Sequence, residues 1–325
     1  QTRAQGLSIL LISHKMSEVL QADRVTGLRK GRVVASVRPG DVSTRQLRRM
    51  MVGRDVSLRV TSGRKARPAD LHPVLEVDRV SWTDPSGRRR LSDVSLTIGR
   101  GEILGLARVS GNGQKELFEV LSGILVPDSG RVTLVGERIE GKPARHYMDR
   151  GVGLVPDDRY REGLVGGFDI AENVILGWQR DPAYARGPFL DRRRIAERAA
   201  RAIADFRIAA PSPEVPVRKL SGGNAQKVIL AREFTHSDKL LLANQPTRGL
   251  DLGVIEYIYT RILARRDEGF AVLLASEELE DLLNLSDRIA VISGGRITGI
   301  VEAARTGIAE IAHLMAAGAA PRAAA

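Results

Sequence analysis

A glycine-rich segment of the sequence has residue types and a spacing that could bind phosphate. Residues 107–117 read ARVSGNGQKEL and lie between an apolar stretch that predicts a strand and a stretch that predicts a helix. Glycines in such a loop let backbone N–H groups turn toward an anion, and the N-terminus of the following helix adds partial positive charge. We therefore predict a phosphate-binding loop, whose candidate cofactor-binding residues are Arg108, Ser110, Gly111, Asn112, Gly113, Gln114, Lys115 and Glu116.

Two chemical groups of the complete motif, GxxxxGK[ST], are missing from this loop. Aligned on Gly113, the lysine that reaches the β- and γ-phosphates is replaced by Gln114, and the hydroxyl that holds magnesium is replaced by Lys115. A neutral amide lacks the Coulomb attraction of an ammonium group, and Arg108 stands where the motif has its first glycine. Taken alone, the segment is equally consistent with an ordinary strand-to-helix turn.

A second segment with unusual glycines predicts the start of a helix. Residues 220–226 read LSGGNAQ, and the helical pattern continues through Phe234. Ser221 is a good N-cap residue, and capping alone would account for it. Gly222 and Gly223 cost a helix roughly 1 kcal/mol each relative to alanine, so they require another reason. Close approach of exposed N–H groups to an anion is such a reason, and we interpret all three residues as candidate catalytic residues.

In a third segment, two uncharged residues stand where a catalytic pair of acids is expected. Residues 239–251 read KLLLANQPTRGLD, an apolar strand followed by a polar pair and a turn. In a nucleotide hydrolase the pair would be Asp-Glu, with the aspartate for magnesium and the glutamate to polarise the attacking water. Asn244 and Gln245 are uncharged amides of related shape, so the base is lost. We interpret both as degenerate catalytic positions.

Two segments of the chain are similar to each other. Residues 11–32 read LISHKMSEVLQADRVTGLRKGR, and residues 274–296 read LASEELEDLLNLSDRIAVISGGR. His14 corresponds to Glu277, and the separation of 277 − 14 = 263 residues suits a whole α/β domain plus a linker, not a solenoid repeat. A histidine can donate a hydrogen bond to a γ-phosphate, whereas a carboxylate would repel it. Glu277 is therefore a third degenerate position.

The repeat predicts how the chain is organised into domains. The chain begins with Gln1, and an apolar strand pattern starts at residues 7–12, so we expect the end of one domain followed by a complete second domain. We assign residues 1–53 to the C-terminal remnant of the first domain and 54–73 to a linker. Residues 74–315 would be the second domain, with a helical subdomain at about 165–220, and residues 316–325 a frayed tail.

Apolar patterns within the second domain predict an α/β fold. Alternation at residues 74–80 and 91–98 predicts strands of an antiparallel sheet. Helical stretches, including an amphipathic one at 191–206, separate apolar runs at residues 102–106, 152–155, 239–243, 271–275 and 289–292. This alternation is typical of a parallel sheet. The predicted fold class is a parallel core sheet with an antiparallel β subdomain and a helical subdomain.

Composition argues against several classes of protein. The chain has no cysteine, which removes disulfides, thiolate zinc sites and cysteine nucleophiles. No stretch reaches the ~18 consecutive apolar residues that cross a bilayer, so we expect a soluble or peripheral protein of the cytoplasm. The charge of 50 − 39 = +11 would suit nucleic acid, but the arginines are scattered among few aromatic residues, and no nucleic-acid partner is expected. Trp82 could stack on adenine, although a place in the core or at its edge is the favoured interpretation.

The sequence resembles the ATP-binding subunits of ABC importers of the sugar and nucleoside type, which carry two nucleotide-binding domains in one polypeptide. The resemblance covers nearly the whole chain and rests on GNGQKEL, LSGGNAQKVILAREF, QPTRGLD and the pair ISHKMSEVL and SEELEDL. GNGQKEL together with VPDDR at residues 155–159 is closest to the nucleoside branch. The resemblance implies a P-loop NTPase fold of the ABC-type nucleotide-binding domain.

The resemblance also implies a role for each motif. In this family the two domains face head to tail, and each ATP lies between the phosphate loop of one domain and the LSGG segment of the other. Ser221, Gly222 and Gly223 would therefore close on ATP held by the first domain. His14 would be the switch histidine of that domain, and Asp251 would lie in the loop that crosses between the two.

Cofactors, partners and activity follow from the same resemblance. The cofactors are ATP and Mg²⁺, with Mg²⁺ mainly at the first domain's site and no metal ligand assigned in this chain. The partners are membrane permease subunits and a periplasmic or lipid-anchored substrate-binding protein, which places the subunit at the cytoplasmic face of the membrane. The full-length subunit would be an ATPase that energises uptake, whereas this chain alone, with a degenerate site, would hydrolyse ATP poorly.

Three alternatives stay open from the sequence. A soluble ABC protein acting on the ribosome or on nucleic acid would suit the basic charge, but such proteins keep both hydrolytic sites. A non-enzymatic regulatory fragment would bind ATP and nothing more. The replaced groups at Gln114, Lys115, Asn244, Gln245 and Glu277 could also reflect decay of an unexpressed gene.

Overall fold

The computed structural model describes residues 8–13, 16–29, 31–54, 72–108 and 111–317. The chain divides into two units, residues 1–58 with 250–257 and residues 59–249 with 258–325. Two predicted site residues, His14 and Ser110, lie outside the described residues, as does most of the predicted linker. The domain boundaries derived from the sequence stay a prediction.

The described residues of the first unit contain a hairpin, two helices and the beginning of a third helix at Leu252. Its elements are α1 (Met16–Val19), β1 (Val25–Arg29), β2 (Arg32–Val37) and α2 (Thr44–Val52), and β1 pairs antiparallel with β2. Both ends of α2 are capped by local sequence. Ser43 and Gln46 form a capping box at its start, and Gly53 ends it with a φ of 87°.

The predicted strand at residues 7–12 is wrong for the part that the structure describes. Residues 8–13 adopt neither helix nor strand, and the side chains of Leu10 and Ile12 are 91% and 92% exposed. An apolar run becomes a buried strand only where neighbouring strands satisfy its backbone N–H and C=O groups. Among the described residues of this unit, the strands β1 and β2 pair with each other instead.

The second unit alternates strands and helices along most of its length. Its strands are β3 (Pro73–Thr83), β4 (Arg89–Gly99), β5 (Ile103–Arg108), β6 (Ser129–Leu134), β7 (Glu137–Arg138), β8 (Val152–Val155), β9 (Ala185–Arg186), β10 (Phe189–Leu190), β11 (Leu240–Asn244), β12 (Ala271–Ser276), β13 (Arg288–Ser293) and β14 (Arg296–Glu302). Its helices are α3 (Gln114–Leu121), α4 (Ala144–Asp149), α5 (Ile170–Val174), α6 (Arg192–Asp205), α7 (Gly222–His236), α8 (Leu252–Asp267, beginning in residues of the first unit), α9 (Leu279–Leu285) and α10 (Ile308–Ala317).

A six-stranded sheet forms the core of the second unit. The strand order is β14-β13-β5-β12-β11-β8, and all neighbours pair in parallel except β13 and β14. Every residue of β11 and β12 is buried, which explains why these strands are continuous apolar runs without polar alternation. The five predicted core strands are confirmed to within two residues, whereas β14 was not predicted.

A second sheet is antiparallel and has the order β4-β3-β6-β7. Its buried apolar side chains form one cluster with those of the six-stranded sheet. Its first two strands confirm the predicted pair at residues 74–80 and 91–98, and the short strands β6 and β7 were missed. Trp82 lies opposite Leu91 in the sheet and packs, partly buried, against the cluster. This supports the interpretation of Trp82 as a core-edge residue.

Helices and a short hairpin occupy the region predicted as a helical subdomain. The amphipathic helix expected at residues 191–206 is α6, whose N-cap is Asp191 and whose buried face includes Ile195 and Ala199. The α/β class with parallel, antiparallel and helical parts is confirmed. Helix α10 continues through Ala317, two residues into the predicted tail. Throughout the described ranges, no helix has both the length and the apolar composition that a membrane span needs.

Candidate functional site

The candidate site lies at one edge of the six-stranded sheet. Strands β5, β12, β11 and β8 are parallel neighbours, so their carboxyl ends lie on the same edge. Arg108 ends β5, Asn244 ends β11, Glu277 directly follows β12, and Asp157 follows β8 by two residues. The carboxyl ends of parallel strands are where open α/β sheets bind ligands. The fold therefore collects the predicted residues at the edge where a ligand is expected.

One glycine of the predicted phosphate-binding loop cannot be replaced without distortion. Gly113 precedes α3 with a φ of 92°, and a Cβ there would lie 2.6 Å from the carbonyl oxygen of Arg90. Gly111 has a φ of 85°, but a Cβ there would meet no atom of the described residues within 4 Å. Asn112 Oδ1 accepts a hydrogen bond from Gly294 N at 3.0 Å, which anchors the loop to the turn after β13. The loop is thus fixed at its C-terminal end and has open space beside Gly111.

The charged residues that follow the loop are not placed like the missing lysine. Lys115 Nζ lies 3.6 Å from Glu119 Oε1, one turn along α3, and its side chain is 67% exposed. Glu116 is half-buried in the first turn of the helix. The ammonium of Lys115 therefore interacts along the helix surface and does not substitute for a lysine at position 114.

A buried amide pair, Gln114 and Asn244, lies at the two positions for which the sequence predicts a lost lysine and a lost aspartate. Gln114 Nε2 donates a hydrogen bond to Asn244 Oδ1 at 2.7 Å, and the two residues are only 3% and 8% exposed. Gln114 Oε1 is buried and has no hydrogen-bond partner within the described part of the chain. Exchanging the O and N of both amides keeps their mutual hydrogen bond and turns the unpartnered atom into a donor, which is the polarity that a phosphate oxygen requires.

The arginine at the end of β5 pairs with Glu277, the third predicted degenerate position. Arg108 Nη2 lies 2.8 Å from Glu277 Oε1 and 4.0 Å from Asp157 Oδ2, and its side chain is 12% exposed. Arg108 Nε is buried, with no hydrogen-bond partner in the described ranges. From the sequence, Arg108 was recognised only as a replacement for the first glycine of the motif. Its pairing with Glu277 was not predicted.

Gln245 connects the same two residues through its side chain. In the amide orientation that satisfies both ends of the group, Oε1 accepts from Glu277 N at 3.0 Å and from Arg108 Nη2 at 3.2 Å. Its backbone has a φ of 53°, a left-handed conformation that costs a non-glycine residue on the order of 1 kcal/mol. Gln245, which the sequence predicts to be a degenerate catalytic position, is therefore hydrogen-bonded to both members of the Arg108–Glu277 pair.

A second arginine connects the LSGG helix to this edge. The π-helical turn Arg159–Gly163 directs Arg159 Nη1 to the carbonyl oxygen of Gly222 at 3.3 Å, and its Nη2 donates to the carbonyl oxygen of Arg248. Arg248 in turn pairs with Asp157 at 2.8 Å. Burial lowers the pKa of the Arg159 guanidinium. These contacts of Arg159 and Arg248 were not predicted from the sequence. The segment VPDDR, which ends at Arg159, was the only sequence feature that pointed to this region.

The LSGG segment is confirmed as the start of a helix. Helix α7 begins at Gly222, and Ser221 Oγ caps it by accepting from Asn224 N at 3.4 Å. Ser221 is exposed and Gly223 is buried. Asn224 Oδ1 also accepts from Ala209 N at 2.9 Å, which holds the first turn against the preceding loop. At the start of the helix the cap residue Ser221 is exposed, Gly222 is half-buried, and the backbone N–H of Asn224 is used by the cap.

Asp251, the remaining predicted site residue, belongs to the first unit. Its Oδ1 accepts a hydrogen bond from Val254 N at 3.1 Å, at the beginning of α8. Capping of a helix is therefore the role that its local contacts show.

The residues at the sheet edge fit an anion and do not fit a magnesium ion. Nowhere in the described ranges do three His, Cys, Asp or Glu side chains come close enough to hold a metal. Asn244 and Gln245 carry no charge, whereas Mg²⁺ in nucleotide sites is held by carboxylate and hydroxyl oxygens together with the phosphates. The buried, unpartnered Nε–H of Arg108 is a donor that a phosphate oxygen would satisfy.

Sequence comparisons identify relatives along nearly the whole chain. The family described as ABC transporter matches residues 91–248. The chain is 41% identical over 315 residues to the nucleoside import ATP-binding protein NupA of Lactococcus lactis, covering 97% of this chain and 62% of that protein. It is 41% identical to the guanosine import ATP-binding protein NupO of Bacillus subtilis, covering 90% and 57%, and 38% identical to a ribose import ATP-binding protein of Rubrobacter xylanophilus, covering 91% and 58%. The chain thus spans little more than half the length of these relatives.

Solved structures share the fold. A nucleotide-free ATP-binding cassette from an ABC transporter matches with a TM-score of 0.62 at 20% identity, over 75% of this chain and 95% of that one. A dimeric ATP-binding cassette in a post-hydrolysis state, bound to ADP and Pi, matches with a TM-score of 0.62 at 21% identity, over 72% of this chain and all of that one.

Proposed function

Because residues 91–248 match the ABC transporter family and the fold is that of an ABC ATPase cassette, we propose that the chain is part of the ATP-binding subunit of an ABC importer of nucleosides or sugars. The observation that carries this proposal is the 41% identity over 97% of the chain to a nucleoside import ATP-binding protein. Relatives named for ribose and glucose import keep the sugar class within the proposal.

The proposal includes a degenerate ATP site at the sheet edge. Gln114 and Asn244 stand where a hydrolase carries the phosphate-binding lysine and the magnesium-binding aspartate, and they bind each other at 2.7 Å. Gln245 stands where the water-polarising glutamate would be. A nucleotide could still be held by the N-terminus of α3 and the loop backbone, but the site lacks the groups for metal binding and proton abstraction. We infer that a nucleotide bound here is hydrolysed slowly.

The LSGG helix start would act on a different ATP. Ser221 caps α7 from an exposed position and Gly222 is half-buried, so the start of the helix can meet an anion that comes from outside the second unit. We propose that Ser221, Gly222 and Gly223 close on ATP held by a first nucleotide-binding domain, with His14 as that domain's switch histidine and Asp251 in the crossing loop. That domain would bind the Mg²⁺ and perform the hydrolysis.

The partners follow from the importer function. We propose membrane permease subunits and a substrate-binding protein, with the chain lying peripherally at the cytoplasmic face of the membrane. Tyr160 and Phe168, 47% and 42% exposed, lie in and just beyond the turn Arg159–Gly163 and are candidates for the permease contact. Since Arg159 in that turn also contacts the carbonyl oxygen of Gly222, a permease movement could reach the LSGG helix directly.

A substitution at Ser221 separates a helix cap from a nucleotide contact. Ser221→Asp keeps the cap, because aspartate caps helices about as well as serine, but it adds a negative charge that would repel a triphosphate. We expect uptake of labelled nucleoside or ribose by the assembled importer to fall at least about tenfold, which corresponds to about 1.4 kcal/mol. The melting temperature should stay near that of the wild type.

The matched control is Ser43→Asp, which makes the same change at the N-cap of α2 and should leave uptake unchanged. Normal uptake with Ser221→Asp would contradict the contact in trans. An assembled importer that transports neither nucleosides nor sugars would contradict the proposed substrate class.

A further inference from the structure

Arg108 lies at the edge of the core sheet, beside the predicted phosphate-binding loop. It ends β5, directly before the phosphate-binding loop, and its guanidinium crosses to Glu277 at the end of the neighbouring strand β12. The two strands are in register there, with Ala107 opposite Ser276. The Arg108 side chain therefore extends from the end of β5 to the residue that follows β12.

The donor groups of Arg108 are only partly used by the protein. Nη2 is shared among Glu277, Asp157 and the amide of Gln245, whereas Nε is buried and has no partner within the described residues. A buried donor without an acceptor is unfavourable, and a guanidinium presents Nε–H and Nη–H as a fork that matches two phosphate oxygens. Arg108 is thus an incompletely satisfied cation at a site expected to receive an anion.

Glu277 is the group that a phosphate would have to displace. Its carboxylate lies 2.8 Å from Arg108 Nη2, and its side chain is 46% exposed, so it can swing toward solvent. A phosphate that approaches Arg108 meets this negative charge in the same place. Neutralising Glu277 should therefore favour the nucleotide, since it removes both a competitor for Arg108 and a like charge.

The two carboxylates at this edge pair with arginines and do not form a metal site: Glu277 Oε1 lies 2.8 Å from Arg108 Nη2, and Asp157 Oδ1 lies 2.8 Å from Arg248 Nη1. The positions that would ligate or orient Mg²⁺ carry Lys115, Asn244 and Gln245, none of which supplies an anionic oxygen. Mg²⁺ also reduces the negative charge of ATP, and so weakens the attraction of the nucleotide to an arginine.

We propose that Arg108 takes over the charge neutralisation that lysine and magnesium supply elsewhere, so that this domain binds a nucleoside di- or triphosphate without a metal ion, in competition with Glu277. The proposal rests on the proposed nucleotide-binding function and adds the residue and the metal state through which the degenerate site binds its ligand.

Calorimetric titration of the purified chain with ATP and with ADP, in excess Mg²⁺ or in EDTA, tests the proposal. We expect ATP to bind in EDTA at least as tightly as in Mg²⁺. Glu277→Gln should tighten binding about tenfold, and Arg108→Gln should weaken it at least about tenfold. The matched controls are Glu137→Gln and Arg150→Gln, because these residues form another partly exposed ion pair, at 2.9 Å, away from the site; each should change the affinity less than about twofold.

Thermal melts of every variant distinguish lost binding from lost folding, and Glu277→Gln carries the test if Arg108→Gln does not fold. Binding that requires Mg²⁺, or a Glu277→Gln affinity no different from that of Glu137→Gln, would overturn the inference and leave the proposed function standing. A different result would also contradict part of the proposed function. If neither the folded wild type nor folded Glu277→Gln binds ATP or ADP, with or without Mg²⁺, the proposal that this site binds a nucleotide is wrong.

Discussion

The buried amide pair gives the sharpest quantitative prediction, a double-mutant cycle with Gln114→Lys and Asn244→Asp. The wild-type side chains are 2.7 Å apart and almost fully buried, so either single substitution leaves one uncompensated charge beside a neutral amide. We expect each single variant to lose about 3 kcal/mol of unfolding free energy. In the double variant two opposite charges about 4 Å apart, at an effective dielectric near 20, recover about 4 kcal/mol. The double variant should then be only about 2 kcal/mol less stable than the wild type.

Urea denaturation followed by circular dichroism measures all four corners of the cycle. A control cycle with Gln114→Leu and Asn244→Leu removes the hydrogen bond without adding charge; each single variant should lose about 1–3 kcal/mol because one amide is left unsatisfied, and the double should come close to the wild type. The two residues are not coupled if the loss in the lysine–aspartate double variant equals the sum of the two single losses to within about 0.5 kcal/mol. That result would refute the contact between Gln114 and Asn244 on which the proposed degenerate site depends.

Two further predictions concern backbone and pH. Gly113→Ala should lower the free energy of unfolding by at least about 2 kcal/mol in thermal or urea denaturation, because its Cβ would lie 2.6 Å from the Arg90 carbonyl oxygen. The matched variant Gly111→Ala also has a positive φ, but its Cβ would meet no described atom within 4 Å, so it should lose only about 1 kcal/mol. Equal losses would contradict the packing at Gly113. Burial raises the pKa of Asp281 to about 6, although the Ser276 hydroxyl donates a hydrogen bond to its carboxylate. Between about pH 4 and pH 6 the Asp281 carboxyl is therefore protonated in the folded state but ionised in the unfolded state, and the free energy of unfolding falls as the pH rises through this range. Asp281→Asn should therefore raise the unfolding free energy by ~2 kcal/mol at pH 8 and by little at pH 4, and an equal change at both would contradict the shift.

Local backbone chemistry made part of the structure predictable from the sequence. Ser221 and Asp191 cap α7 and α6 where the sequence placed the helix starts, because a cap depends only on residues within the first turn. The core strands were equally accessible, since β11 and β12 are buried along their whole length and so appear as uninterrupted apolar runs.

The missed features depend on which strands become neighbours. Arg108 and Glu277 were each recognised as departures from a motif, but their pairing follows from the adjacency of β5 and β12, which strand propensity does not determine. The contact of Arg159 with Gly222 likewise requires the turn after β8 to reach the start of α7. The run at residues 7–12 failed for the converse reason: it has strand composition, but among the described residues it has no strand beside it.

The adjacency of β5 and β12 also has a kinetic consequence. Arg108 and Glu277 are 169 residues apart in the chain, and most of the second unit lies between them. Closing a loop of that length is entropically costly, and domains dominated by such distant pairings fold slowly. The sheet edge that would receive the nucleotide is therefore expected to assemble late, and only once the chain through β12 has been synthesised. A ribosome-bound nascent chain that ends before β12 would have no functional site.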